Sequence, residues 1–144
     1  GRAMMARANI PEDIRYKVWT AAFKTATLLD GLLPIEIDGV TESRYVHWCG
    51  KNPGFAKHLR TWGEAGTVKT KTDTTPKVKD RGIPCMFIGY ALDHPEDTYR
   101  MWNPETGGIH QTRDVIWMKR MFYSKPPLAH DFAVVEDDIN IAIP

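Results

Sequence analysis

The groups best suited to chemistry are cations and hydroxyls, and they crowd one stretch. Residues 51–81 hold eight Lys or Arg (51, 57, 60, 69, 71, 77, 79 and 81) against three acids (64, 73 and 80), a local net charge of +5. Lys69, Lys71, Lys77, Lys79 and Arg81 are interspersed there with Thr70, Thr72, Thr74 and Thr75. Flexible cations of this kind suit a phosphate backbone, where neutralising charge supplies affinity and no base is read. The hydroxyls would add donors to phosphate oxygens. The plainer reading of the same residues is a solvated loop that aids solubility.

Nucleophiles and metal ligands are sparser. A zinc site would have to be built from His47, Cys49, His58 and Cys85, and their spacing fits no zinc-finger signature. There is no nucleophile elbow, phosphate-binding loop or dinucleotide fingerprint. The carboxylates have local roles: Glu12 and Asp13 at a helix start, Asp30 near a helix end, and Asp93, Glu96 and Asp97 in a loop. No catalytic residue, metal ligand or cofactor is assigned. Cys49 and Cys85 lie far apart in a chain with no secretory signal, so free, buried thiols in a reducing compartment are expected.

The elements that position these groups are helical first and extended afterwards. Arg2–Ala8 reads as the end of a helix, which suggests a fragment of a longer chain. Pro11–Leu29 is the best helix, with Pro11 at its first position and Ile14, Val18, Ala22, Ala26 and Leu29 at helical spacing. Trp19 and Phe23 would widen the apolar stripe, and Gly31 would cap the end. Residues 34–54 are turn-rich, with one or two helical turns over Glu42–Trp48. Glu64–Lys71 reads as an edge strand, its lysines discouraging further pairing, and Thr72–Asp80 as a loop. Then come three strand-like runs: Ile83–Tyr90, Thr98–Trp102 and Ile109–Met118. Alternation puts Cys85 and Phe87 on one face of the first, and Met86, Ile88 and Tyr90 on the other. Asn103-Pro104-Glu105-Thr106-Gly107-Gly108 is a strong turn. Phe87, Tyr90, Tyr99, Trp102 and Trp117 are assigned to the core, and Arg113-Asp114 to an ion pair or turn contact. Residues 130–144 carry four acids and no Lys or Arg, and read as an acidic linker or tail. No apolar run approaches the roughly 20 residues of a membrane span. The fold class is α+β: N-terminal helices followed by a small antiparallel β-barrel.

Three motifs appear in order: Phe87-Ile88-Gly89-Tyr90, then Tyr99-Arg100-Met101-Trp102-Asn103-Pro104-Glu105-Thr106, then Thr112-Arg113-Asp114-Val115-Ile116-Trp117. Together they resemble the SH3-like segment that follows the integrase core in copia-type retrotransposon Pol polyproteins. Upstream, Gly50-Lys51-Asn52-Pro53 and His58-Leu59-Arg60-Thr61-Trp62-Gly63 resemble the lead-in to that segment, with Glu64 where relatives carry a Cys. Ala8-Asn9-Ile10-Pro11 with Trp19 and Ala22 resembles the last helices of the RNase H-like integrase core.

The resemblance implies a division into residues 1–55 (end of the core and linker), 56–123 (SH3-like β domain) and 124–144 (linker). It implies a non-catalytic role in DNA integration. The Asp-Asp-Glu carboxylates that would hold Mg or Mn in the parent integrase fall outside this chain. Implied partners are retrotransposon cDNA or target DNA, the rest of the integrase, the reverse transcriptase and further copies of the chain. The implied setting is intracellular, in a cytoplasmic particle and the nucleus. Two alternatives stand beside this reading: a peptide-binding module with Tyr90, Tyr99 and Trp102 lining a groove, and a decayed element without activity.

Overall fold

The chain was described from a computed structural model covering residues 1–69 and 82–124. Its first helix, α1 (Arg2–Arg7), is capped at Ala8 and followed by Asn9, which takes a positive φ of 57°. The Asn9 side-chain amide donates to the Tyr123 carbonyl at 3.1 Å, tying the two ends of the described chain together. After Pro11 a 3-10 turn (Glu12–Ile14) leads into α2 (Arg15–Asp30).

The buried line of α2 is Val18, Ala22 and Thr25, three positions on one helical face. Trp19 and Phe23 do not widen this stripe. They lie one row around the helix and remain 51% and 44% exposed, with their rings edge to face at 6.0 Å. Thr25 is tolerated in the core because its hydroxyl donates to the Ile88 carbonyl at 3.0 Å. Gly31 is not a left-handed cap, since its φ is −64°. Its use is space: a Cβ there would fall 2.7 Å from Cε2 of Tyr45.

Residues 34–43, expected only as turns, form a hairpin of β1 (Pro34–Ile37) and β2 (Val40–Ser43). Ile37 pairs with Val40, so Asp38 (φ 51°) and Gly39 (φ 80°) make a two-residue turn with both φ positive. That geometry matches the twist of the flanking strands and favours Asp-Gly. The short helix expected over 42–48 is α3 (Arg44–Cys49). Its N-terminus is capped by Ser43, whose hydroxyl oxygen accepts from the Val46 N–H at 3.2 Å.

The remaining strands are β3 (Glu64–Lys69), β4 (Gly82–Tyr90), β5 (Tyr99–Trp102), β6 (Ile109–Thr112) and β7 (Val115–Met121). They form one antiparallel sheet in the order β6-β5-β4-β3-β7, and with the helices this makes an α+β fold. Two expectations are corrected here. β3 is an interior strand, paired with β4 on one side and β7 on the other, because Ala65, Gly66 and Val68 are small enough to be covered on both faces. The run 109–118 is two strands at opposite edges of the sheet. It breaks where the Thr112 hydroxyl oxygen accepts from the Asp114 N–H at 3.0 Å. Arg113-Asp114 is therefore a turn contact, and the ion pair of Arg113 goes to Asp97 at 3.7 Å. The turn at 103–108 forms as expected, with the buried Asn103 side chain accepting from the Glu105 N–H at 3.0 Å.

The alternation along β4 is also corrected. The β4–β5 register shifts between Phe87 and Gly89, a β-bulge made possible by the φ of 154° at Gly89. The bulge turns Tyr90 to the face of Phe87 rather than that of Ile88. Two apolar clusters follow. One holds Phe55, Val68, Cys85, Phe87, Tyr90, Tyr99 and Met101, with Trp117 at its margin. The other joins Met86, Ile88 and Trp102 to Met5, Ile10, Val18, Ala22 and Trp62 from the helical side.

Candidate nucleic-acid interface

Of the five cations singled out, Lys69 lies within the described residues; Lys71, Lys77, Lys79 and Arg81 lie outside them. Lys69 closes β3 and is exposed, paired across the ladder with Gly82. Its backbone N–H donates to the Asp114 carbonyl at 3.3 Å, so the β3 end is held from β7's side as well. Lys69 and Gly82, the described residues on either side of 70–81, are thus partners in the ladder.

Arg60, counted among the basic residues of this region, is committed elsewhere. Its guanidinium lies over the Trp117 ring at 4.2 Å from the centroid and pairs with the mostly buried Glu64 carboxylate. The Arg60 N–H donates to the Tyr90 hydroxyl at 3.2 Å. Two residues on, the Trp62 indole N–H donates to the Ile88 carbonyl at 2.9 Å, and the Gly63 N–H donates to the Phe87 carbonyl at 2.9 Å. The segment 58–64 is thus a clasp that fastens the sheet. Glu64, which stands where a Cys was expected, is the counter-charge of that clasp.

The cysteine and histidine candidates do not converge. Among the described residues, no three His, Cys, Asp or Glu side chains come together in a metal-binding arrangement. Cys49 is exposed, which corrects the expectation that both thiols are buried; Cys85 is buried, and burial pushes its thiol up to about 11. Burial likewise raises the Tyr90 and Tyr99 phenols above their ordinary value. Asp93 is held low by the hydrogen bond from the neighbouring His94.

The rings proposed for a peptide groove are covered instead: Tyr90, Tyr99 and Trp102 are each 8% exposed or less. Tyr90 contributes to the wall of a cavity of about 340 Å³ bounded by Leu28, Tyr45, Phe55 and Glu96, and to that of a space of about 400 Å³ beside Lys24 and Arg100.

The sequence reading missed one feature. A cleft of about 670 Å³ opens between α2 and the β5–β6 edge, with Lys17 and Lys24 on one wall and Arg100 on the other. Lys17 and Lys24 sit seven residues apart, a signal that was available. Arg100 joins them only through the fold. Among the described residues, no helix is long and apolar enough to cross a membrane.

Comparison with known proteins agrees with the motifs. Residues 66–130 match the profile of the retroviral polymerase SH3-like domain. Over 116 residues, 81% of the chain, the sequence is 28% identical to the "Retrovirus-related Pol polyprotein from transposon TNT 1-94" of Nicotiana tabacum. The chain spans 8% of the length of that curated relative. No solved structure matches. Residues 66–130 are therefore similar to a retroviral polymerase SH3-like domain, in a chain similar to one segment of a retrotransposon Pol polyprotein.

Proposed function

We propose that this chain is a non-catalytic, nucleic-acid-holding and assembly module of a copia-type integrase. Residues 1–55 would be the helical end of the integrase core, 56–123 the SH3-like unit, and 124–144 an acidic linker. The observation that carries the reading is the set of five cations against two acids over residues 69–81, beginning at the Lys69–Gly82 pair of a retroviral-polymerase-type domain. A sheet-anchored cluster of Lys and Thr offers phosphate contacts without base readout. Its partners would be retrotransposon cDNA or target DNA, other Pol segments and further copies of the chain. Metal-assisted strand transfer would belong to carboxylates carried elsewhere in the polyprotein. The peptide-groove reading is disfavoured because its three rings are covered.

Duplex affinity measured against salt tests the proposal. Binding should weaken with a log–log slope of about −0.9 for each phosphate neutralised. Changing Lys69, Lys71, Lys77, Lys79 and Arg81 to Ala should weaken binding and flatten the slope. Absence of binding at low salt, or an unchanged slope in this variant, rejects the reading.

A further inference from the structure

We infer that the cleft between α2 and the β5–β6 edge is a second nucleic-acid site, built for one unpaired strand. It extends the nucleic-acid reading given above but shares no residue with the Lys69–Arg81 stretch. Three cations from distant parts of the chain line it: Lys17 and Lys24 from α2, and Arg100 from β5. Lys17 and Lys24 are two helical turns apart, about 10 Å along the axis. The cleft continues past Lys24 and Arg100 into a smaller space of about 400 Å³ that reaches Gln111. No carboxylate lines the larger part; Asp93 lines the smaller one, near enough to Lys24 for the two charges to interact though not paired with it. Among the described residues, none of the three cations takes part in an ion pair. Arg100 is half-buried as a residue and takes part in no ion pair among the described residues. That arrangement calls for an anion from outside.

The lining decides which anion. The buried Ile88 and Trp102 line the cleft beside the cations, with the exposed Ile109 and with Tyr16, 69% exposed, also on its lining. The Lys17 ammonium is 5.8 Å from the Tyr16 ring centroid, so charge and ring lie together. A nucleic-acid strand with splayed bases matches both features: its phosphates meet the cations and a base lies on the ring. A duplex hides its base faces and meets its partners with a convex row of phosphates, which a concave slot with an apolar lining does not fit. An acidic peptide satisfies the charges but leaves the ring and the apolar lining unused.

The test is fluorescence anisotropy on the full chain at low salt, with a labelled single-stranded oligonucleotide of mixed sequence and the corresponding duplex. The triple variant Lys17→Glu, Lys24→Glu, Arg100→Gln should lose about tenfold or more of its single-strand affinity, with duplex affinity little changed. Tyr16→Ala should cost about fivefold or more on the single strand. Lys17→Ala touches only an exposed helix position and preserves the fold. It should flatten the single-strand salt slope by about 0.7. The five-alanine variant of residues 69–81 should show the opposite pattern, losing the duplex first. Single-strand affinity that survives both the triple variant and Lys17→Ala overturns the inference. So does a polyglutamate peptide that binds as tightly and is lost in the same variants, because the cleft then takes acidic peptides. Failure of the duplex arm alone removes the Lys69–Arg81 reading and leaves the cleft standing.

Discussion

The two faces of β4 are sealed in different ways. On the Phe87 face the cover is local: rings from β5, β7 and the segment before β3 close over it. Phe87 meets Tyr90, Tyr99 and Trp117 edge-on at 5.2 to 5.8 Å. On the Ile88 face the cover is borrowed from far away in the sequence, from Met5, Ile10, Val18 and Ala22. The first face is finished mostly by the strands and the segment before them, with Leu28, Leu32 and Tyr45 packed at its margin. The second depends on docking a helix that still leaves Trp19 and Phe23 in solvent on its other side. A sheet of this kind secures its own interior by pairing, but it secures a helix only through a few specific contacts.

The sharpest way to break this comparison is to empty each side in turn. Phe87 is fully buried, and Phe87→Ala should cost about 3–5 kcal/mol in chemical denaturation. Trp19→Ala, on the uncovered side of α2, should cost about 0.5 kcal/mol or less. Equal losses would mean that α2 is covered on both sides in solution. The bulge gives the next largest effect. Gly89→Ala forces a side chain into a φ of 154° and places its Cβ 2.9 Å from the Thr25 hydroxyl oxygen, which should cost about 1–3 kcal/mol. A neutral result would show that Tyr90 does not need the bulge to reach the Phe87 face.

Alkaline titration sharpens the same contrast with a smaller effect. Burial raises the Cys85 thiol from 9.0 to about 11 in the folded chain. Its contribution to stability is then complete below about pH 9 and is lost as pH rises through about 11. Thermal midpoints should fall over that window, and less steeply for Cys85→Ala; parallel curves would place the effect elsewhere. Raised values at Tyr90 and Tyr99 act in the same direction, so some slope should remain.

Much of the fold was legible because strong local signals agreed with the tertiary outcome. Asn103 to Gly108 dictated its own turn, and the aromatic runs declared the strands. Failures came where a single residue redirects the chain. Regular alternation put Tyr90 beside Ile88, and the bulge at Gly89 moves it across the sheet. Asp38-Gly39 carried a hairpin signal, but the flanking Ile35, Ile37 and Val40 were too short a pattern to read as strands. Lysine content made β3 look like an edge, because its second partner, β7, joins from far along the chain. At the candidate interface, the basic stretch was visible as composition. The cleft was not, because Arg100 meets Lys17 and Lys24 only once α2 lies on the sheet.

One oxygen atom links these regions. The Ile88 carbonyl sits at the bulge and takes a proton donor from Thr25 on α2 and another from Trp62 ahead of β3. Both lone pairs of that acceptor are in use, one for each half of the chain. Peeling the helix away would cost this acceptor one of its two hydrogen bonds, about 0.5–1.5 kcal/mol on top of the lost packing. The rivet therefore makes the front helix and the rear sheet share a fate: on heating they should come apart in a single calorimetric peak, as one foldable piece.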